Sequence, residues 1–108
     1  MPTIPQQLDQ VSLQLKANVY FDGAVVSHTI TAADGARRSV GAIRPGTYHF
    51  NTDSAERMDI IAGACAVKQA GSPEWKYYGA GESFSVPAKS GFDIRVDGGL
   101  AEYLCTYG

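Results

Sequence analysis

Short runs of apolar and other β-favouring residues, separated by turn signals, follow one another along almost the whole chain. Residues 11–15 alternate with period two, as in a strand with one buried face. Turn signals such as Asp22-Gly23 and Pro45-Gly46 separate such runs. The other β-favouring runs are residues 19–21, 24–30, 39–43, 47–50, 59–61, 64–67, 75–78, 83–86, 92–96 and 102–107. Short strands at this spacing predict an all-β sandwich or barrel.

The positions of glycine and proline argue against helices, and the length of the chain fits a single domain. The 12 glycines and 5 prolines lie at intervals too short for a long amphipathic helix. A length of 108 residues fits one domain. We expect an N-terminal arm or extension over residues 1–16 and a single domain over residues 17–108.

Charge and cysteine content narrow the classes of partner and compartment. The net charge of -2 gives no basic surplus for nucleic-acid binding. We expect no membrane partner either, because no apolar run could span a bilayer and no secretory signal opens the chain. Cys65 and Cys105 lie in apolar, strand-like segments, which predicts buried reduced thiols in a cytoplasmic protein. A disulfide or a catalytic thiol is the alternative.

Two segments carry glycine, proline and chemically active residues at a recognisable spacing. The first covers residues 46–63 and contains His49 and Glu56, and the second covers residues 81–87. Together they resemble the paired motifs of cupins, small double-sheet proteins whose two motif hairpins face one pocket. The resemblance implies a cupin-type double-stranded β-helix, or jelly-roll barrel.

The cupin-like motifs lack most of the residues that a cupin metal site uses. His49 occupies the first histidine position, but Asn51 stands at the second. Glu56 keeps the glutamate position, whereas the histidine position of the second motif falls at Phe92. The chain has 2 histidines, so a site with two histidines and a carboxylate would need His28 from outside the motifs. We therefore expect no metal and no other cofactor.

A closer resemblance extends over most of the chain from Asn18 onward. The segments that carry it are residues 18–23, 39–41, 45–50, 56–59, 81–87 and 103–107. They resemble one family of small cupins, the pyrimidine/purine nucleoside phosphorylases. The resemblance implies a metal-independent enzyme that cleaves purine and pyrimidine nucleosides with phosphate as co-substrate, giving free base and α-D-ribose 1-phosphate. It also implies a homodimer, which is the commonest oligomer in general.

Phosphorolysis requires a bound phosphate beside C1′ and stabilisation of positive charge on the sugar. For phosphate binding we expect Arg37 and Ser39, because a guanidinium fork and a hydroxyl suit its oxygens, with Arg57 as a further candidate. Glu56 is the candidate catalytic group for the sugar. His49 is the candidate for protonating the departing base or binding phosphate. The alternatives are solvated surface charges and a structural histidine.

A broad range of bases favours a pocket that holds each ring by its face, because hydrogen bonds to the base edge reject other bases. The candidate base and sugar pocket residues are Tyr48, Phe50, Phe84, Phe92 and Tyr103. Each is also a natural core residue. A non-catalytic cupin that binds a small molecule remains the alternative for the whole chain, since fold alone does not separate the two functions.

Overall fold

The computed structural model describes residues 4–108, in which eleven strands form two antiparallel sheets. The strands are β1 (Val11–Leu13), β2 (Asn18–Tyr20), β3 (Val25–Ala32), β4 (Arg37–Ile43), β5 (Gly46–Asn51), β6 (Glu56–Ala62), β7 (Ala64–Gln69), β8 (Lys76–Gly79), β9 (Ser83–Val86), β10 (Gly91–Val96) and β11 (Ala101–Tyr107). Every predicted strand overlaps an observed one, and the expected all-β class is confirmed. No helix in these residues is long and apolar enough to cross a bilayer.

The two sheets face each other and share one core. The larger sheet has the order β1-β3-β4-β11-β6-β9, with β2 also paired to β3, and the smaller sheet has the order β5-β10-β7-β8. Both sheets supply the largest fully buried side chains, which are Val25, Ile43, Ile60, Val86, Ile94 and Val96. Alternation along each strand sends these side chains inward, so the apolar pattern of the sequence becomes the contact between the sheets.

A tight 3-10 turn, Phe21–Gly23, joins β2 to β3 where the Asp22-Gly23 signal predicts a hairpin. Phe21, Asp22 and Gly23 all have positive φ angles, of 51°, 55° and 93°. Such angles are easy for glycine and costly for phenylalanine. The turn places the Phe21 ring 5.0 Å from the ring of Tyr48, between centroids. The strained turn therefore brings an aromatic ring against the buried Tyr48.

Part of the expected N-terminal arm pairs with the larger sheet. Residues 1–3 of that arm are outside the described residues. β1 pairs with β3, with Val11 opposite Ala32, and the amide of Gln14 donates to the carbonyl of Thr29 at 2.9 Å. Ile4 is buried. The pairing begins at Val11, within the expected arm.

Candidate active site

A pocket of about 300 Å³ lies between the two sheets and has two different walls. The larger sheet supplies the polar wall, which carries most of the polar lining, namely Ser27, Arg37, Ser39, Glu56, Tyr103, Cys105 and Tyr107, together with Tyr20, Ile43 and Met58. The smaller sheet supplies a mainly apolar wall, whose members include Phe50, Phe92 and Ile94. One wall can therefore bind charged and hydroxyl groups while the other accepts a flat ring.

Strand pairing brings the polar wall together from distant parts of the sequence. On β11, Cys105 lies opposite Ser39 of β4 on one side, and Tyr107 lies opposite Glu56 of β6 on the other. Side chains alternate between the faces of a strand, so Tyr103, Cys105 and Tyr107 point to the same side. β11 is therefore the central strand of the pocket's polar wall.

Short contacts link the groups of the polar wall. The Ser39 Oγ and the Tyr107 hydroxyl lie 3.0 Å apart, and the Arg37 Cζ lies 4.6 Å from the centre of the Tyr107 ring. The Cys105 thiol donates to Glu56 Oε1, with Sγ 3.4 Å from the oxygen. Arg37 itself is exposed and Glu56 is half-buried. The pocket lining thus contains one cation, Arg37, and two carboxylates, Glu56 and Asp53, and both Arg37 and Glu56 contact a neighbour on β11.

Burial sets the protonation states of these groups. Partial burial raises the pKa of Glu56, while the hydrogen bond from Cys105 and the charge of Arg37 act in the opposite direction. Burial, with the charge of Glu56, raises the pKa of the Cys105 thiol far above its ordinary value. The pKa values of Tyr103 and Tyr107 are also raised by burial. At neutral pH the thiol and both phenols are neutral, so Cys105 acts here as a hydrogen-bond donor.

Aromatic rings of the smaller sheet line the apolar wall, and Tyr20 of β2 packs against one of them. Phe50 and Phe92 are stacked with centroids 5.8 Å apart and planes 27° apart. Tyr20, which is 43% exposed, meets Phe50 edge-on at 5.9 Å. Because stacking depends on ring faces and not on base edges, such a wall is chemically suited to aromatic rings of different substitution.

The structure brings six of the sequence-predicted site residues into this one pocket. They are Arg37, Ser39, Phe50, Glu56, Phe92 and Tyr103. Two other candidates are part of the core and do not line the pocket. Tyr48 is buried and its hydroxyl donates to the carbonyls of Arg44 and Pro45, both at 2.9 Å. Phe84 is buried beside Tyr78, 4.9 Å between ring centroids.

His49 and Arg57 lie outside the pocket. His49 is exposed on β5, where Nδ1 is 2.7 Å from Asp93 Oδ1 and Nε2 is 2.9 Å from Asn51 Oδ1. These two acceptors raise the pKa of His49, Asp93 having the larger effect. Arg57 follows Glu56 on β6 and points the other way, with its Nε 3.0 Å from Asp59 Oδ1. Strand alternation separates His49 from Phe50, and Arg57 from Glu56.

The sequence of this chain matches a known family over nearly its whole length. The sequence model described as pyrimidine/purine nucleoside phosphorylase matches residues 15–107. The chain belongs to this family. A pyrimidine/purine nucleoside phosphorylase of Paraburkholderia xenovorans is 53% identical over 105 residues, which is 97% of this chain and 98% of the relative. One of Aromatoleum aromaticum is 51% identical over 106 residues, 98% of this chain and 99% of the relative.

Solved structures support the fold of this phosphorylase-family chain. A protein of unknown function from Acinetobacter sp. ADP1 superposes with a TM-score of 0.93 at 40% identity, covering 96% of this chain and 100% of that one. The EutQ protein of Clostridium difficile superposes with a TM-score of 0.64 at 16% identity, over 77% of this chain and 67% of that one. Oxalate decarboxylase of Bacillus subtilis gives 0.72 at 15%, over 92% and 29%. The expected cupin-type fold is confirmed.

Sequence reasoning did not select several pocket residues of this family member. Tyr20 and Tyr107 belong to the segments that carry the family resemblance, but neither was a candidate site residue. The sequence predicts Cys105 as a buried thiol, with a disulfide or a catalytic thiol as the alternative, and not as a partner of Glu56. The alternation of β11 carries the signal that could have found Tyr107 and Cys105, because both share a strand face with Tyr103. Within residues 4–108 no group of three or more His, Cys, Asp or Glu side chains is placed to hold a metal ion.

Proposed function

We propose that this chain is a nucleoside phosphorylase whose active site is the pocket between the two sheets. It cleaves purine and pyrimidine nucleosides with inorganic phosphate and so acts as a pentosyltransferase. The glycosidic C1′–N bond breaks, a C1′–O bond to phosphate forms, and the departing nitrogen takes the proton that hydrogen phosphate releases. Family membership supports the reaction. One observation supports the site assignment: Arg37 and Glu56 lie on one wall of the pocket, and aromatic rings lie on the opposite wall.

Arg37 and Ser39 bind the phosphate in this proposal. Arg37 forms no salt bridge with another residue of the described chain, so its N–H groups are available to an anion. A guanidinium offers paired N–H donors that match two phosphate oxygens, and the Ser39 hydroxyl adds a donor two positions along the same strand face. Phosphate bound there lies beside Glu56.

Glu56 binds and stabilises the sugar in this proposal. Its carboxylate is half-buried and contacts the pocket next to Arg37. In its ionised form it accepts hydrogen bonds from the ribose hydroxyls and stabilises the positive charge that develops at C1′. The Cys105 thiol, 3.4 Å from Oε1, occupies one acceptor position and leaves the others for the substrate.

The base lies against the apolar wall. The rings of Phe50 and Phe92 line this wall, and the partly exposed Tyr20 contacts Phe50. Contact through the face of the ring supports acceptance of both purines and pyrimidines, because it leaves no buried donor or acceptor unpaired when the base edge changes.

The test of this function is release of free base from inosine and from uridine, each with and without phosphate. Release that depends on phosphate, with ribose 1-phosphate as the second product, is the expected result. Folded protein that releases no base from any nucleoside would contradict the proposal and leave a small-molecule-binding cupin.

An arginine substitution tests the phosphate site. Arg37→Ala should raise the KM for phosphate by about ten- to hundredfold, the usual worth of a charge-assisted hydrogen bond. The control is Arg95→Ala, since Arg95 packs against Trp75 and Tyr77 outside the pocket. If both substitutions raised the KM for phosphate equally, Arg37 would not be a specific phosphate ligand.

We further propose a cytoplasmic homodimer. Both cysteines are free and buried, which suits a reducing compartment. Apolar side chains remain exposed in the N-terminal region, among them Leu15 at 84% and Val19 at 60%. A second copy that covered them would remove apolar surface from water. Light scattering coupled to gel filtration measures the mass, and a monomer at micromolar concentration would contradict the dimer.

A further inference from the structure

Tyr107 on β11 lies against three pocket residues: Arg37, Ser39 and Glu56. Its ring lies below the Arg37 guanidinium, 4.6 Å from Cζ to the ring centre. Its hydroxyl is 3.0 Å from the Ser39 Oγ, and its backbone pairs with Glu56 across β11 and β6. No other aromatic side chain of the described residues contacts Arg37 in this way.

Arg37 needs such a support if it is to bind phosphate well. It is the first residue of β4 and is exposed, and it has no ion-pair partner among residues 4–108. A long, free side chain loses rotamer freedom when it binds an anion, and that loss weakens binding. An aromatic ring beneath the guanidinium restricts the side chain in advance and leaves its in-plane N–H groups free.

The Tyr107 hydroxyl has a matching effect on Ser39. Burial raises the pKa of Tyr107, so its phenol is protonated at neutral pH. When the phenol donates to the Ser39 Oγ, the serine's own hydrogen must point elsewhere. Ser39 is buried but lines the pocket, so in this arrangement its hydrogen is free to donate to a bound anion.

We infer that Tyr107 is the positioning residue of the phosphate site, holding Arg37 with its ring and orienting Ser39 with its hydroxyl. The inference rests on the proposed function. It goes beyond that function because it separates ring and hydroxyl into two contributions, which two substitutions can remove one at a time.

The ring contribution is measured by comparing Tyr107→Leu with Tyr107→Phe. Both lack the hydroxyl, and they differ in the ring. We expect the leucine variant to have a KM for phosphate about two- to fivefold above that of the phenylalanine variant, the usual strength of an exposed cation–π contact. The KM for nucleoside should change little. In an Arg37→Ala background the difference between the two variants should disappear, because the ring then has no guanidinium to hold.

Tyr77 supplies a matched control. It lies 5.8 Å from the Arg95 Cζ and accepts a hydrogen bond from Arg95 at 2.8 Å, outside the pocket. Tyr77→Leu and Tyr77→Phe should therefore have equal KM values for phosphate. If Tyr107→Leu does not fold, Tyr107→Phe and Ser39→Ala test the hydroxyl: each should raise the KM for phosphate, and the double variant should not exceed the larger single effect.

Failure of the inference and failure of the proposed function give different results. If the wild-type protein shows no phosphate-dependent release of base, the proposed function is wrong. An active wild type whose Tyr107 variants keep the KM for phosphate contradicts only the inference. A ring effect that persists without Arg37, or that changes both KM values equally, would make Tyr107 a packing residue and overturn it as well.

Discussion

Replacing Gly41 by alanine would place a methyl group where the Tyr103 ring now lies. An ideal Cβ at Gly41 would be 2.7 Å from the Tyr103 hydroxyl oxygen, 2.8 Å from its Cζ and 2.6 Å from the Val26 carbonyl oxygen. Favourable contacts between carbon atoms lie at roughly 3.5–4.0 Å. The Val26 carbonyl belongs to β3, and its position is fixed by the pairing of β3 with β4. The Tyr103 ring therefore has to move, and the strand pairing is strained.

The expected cost follows from this overlap. Overfilling a packed site typically destabilises a protein by about 1–3 kcal/mol. For a domain of this size each kcal/mol lowers the Tm by roughly 4–8 °C. Tyr103 is only 7% exposed and lines the pocket, so a displaced ring changes the shape of the site. We expect a higher KM for nucleoside and a smaller change for phosphate.

Urea denaturation and steady-state phosphorolysis together measure both effects. The control is Gly98→Ala, because a Cβ at Gly98 meets nothing within 4 Å and its backbone is not in the left-handed region. Its stability should stay within about 0.5 kcal/mol of wild type, as for ordinary surface changes. A Gly41→Ala protein as stable as this control, with unchanged KM values, would refute the placement of Tyr103 against Gly41.

Two further predictions concern titratable groups. Glu56→Gln should lower kcat while leaving the Tm at pH 7 equal or higher. The raised folded-state pKa of Glu56 means that its ionised form opposes folding, and this penalty fades as pH falls through that pKa, so the Tm difference should shrink in acid. An unchanged kcat would remove Glu56 from the mechanism. Burial raises the pKa of Cys65 to about 11 and that of Cys105 further, so both thiols should react slowly with Ellman's reagent at pH 8 and rapidly in denaturant. Rapid reaction of the native protein would contradict their burial.

Local sequence patterns determined the strands and the class of fold. Period-two alternation at residues 11–15 and β-favouring runs between turn signals elsewhere predicted each strand that was found, and Asp22-Gly23 predicted the turn after β2. Family resemblance added the reaction, and chemical reasoning selected Arg37, Ser39 and Glu56, which share the pocket. These inferences succeed because alternation, turn preference and side-chain chemistry depend on neighbours in the chain.

Tertiary structure decided which candidates face the pocket and what supports them. The predicted strand at residues 59–61 begins at Glu56 in the structure, and only that start puts Glu56 and Arg57 on opposite faces. The contact between Ser39 and Tyr107 depends on the pairing of β4 with β11, which nothing near either residue specifies. An alternating sequence of apolar and polar residues shows only that the two faces of a strand differ. Which face is buried, and against which strand, is set by the packing of the whole chain.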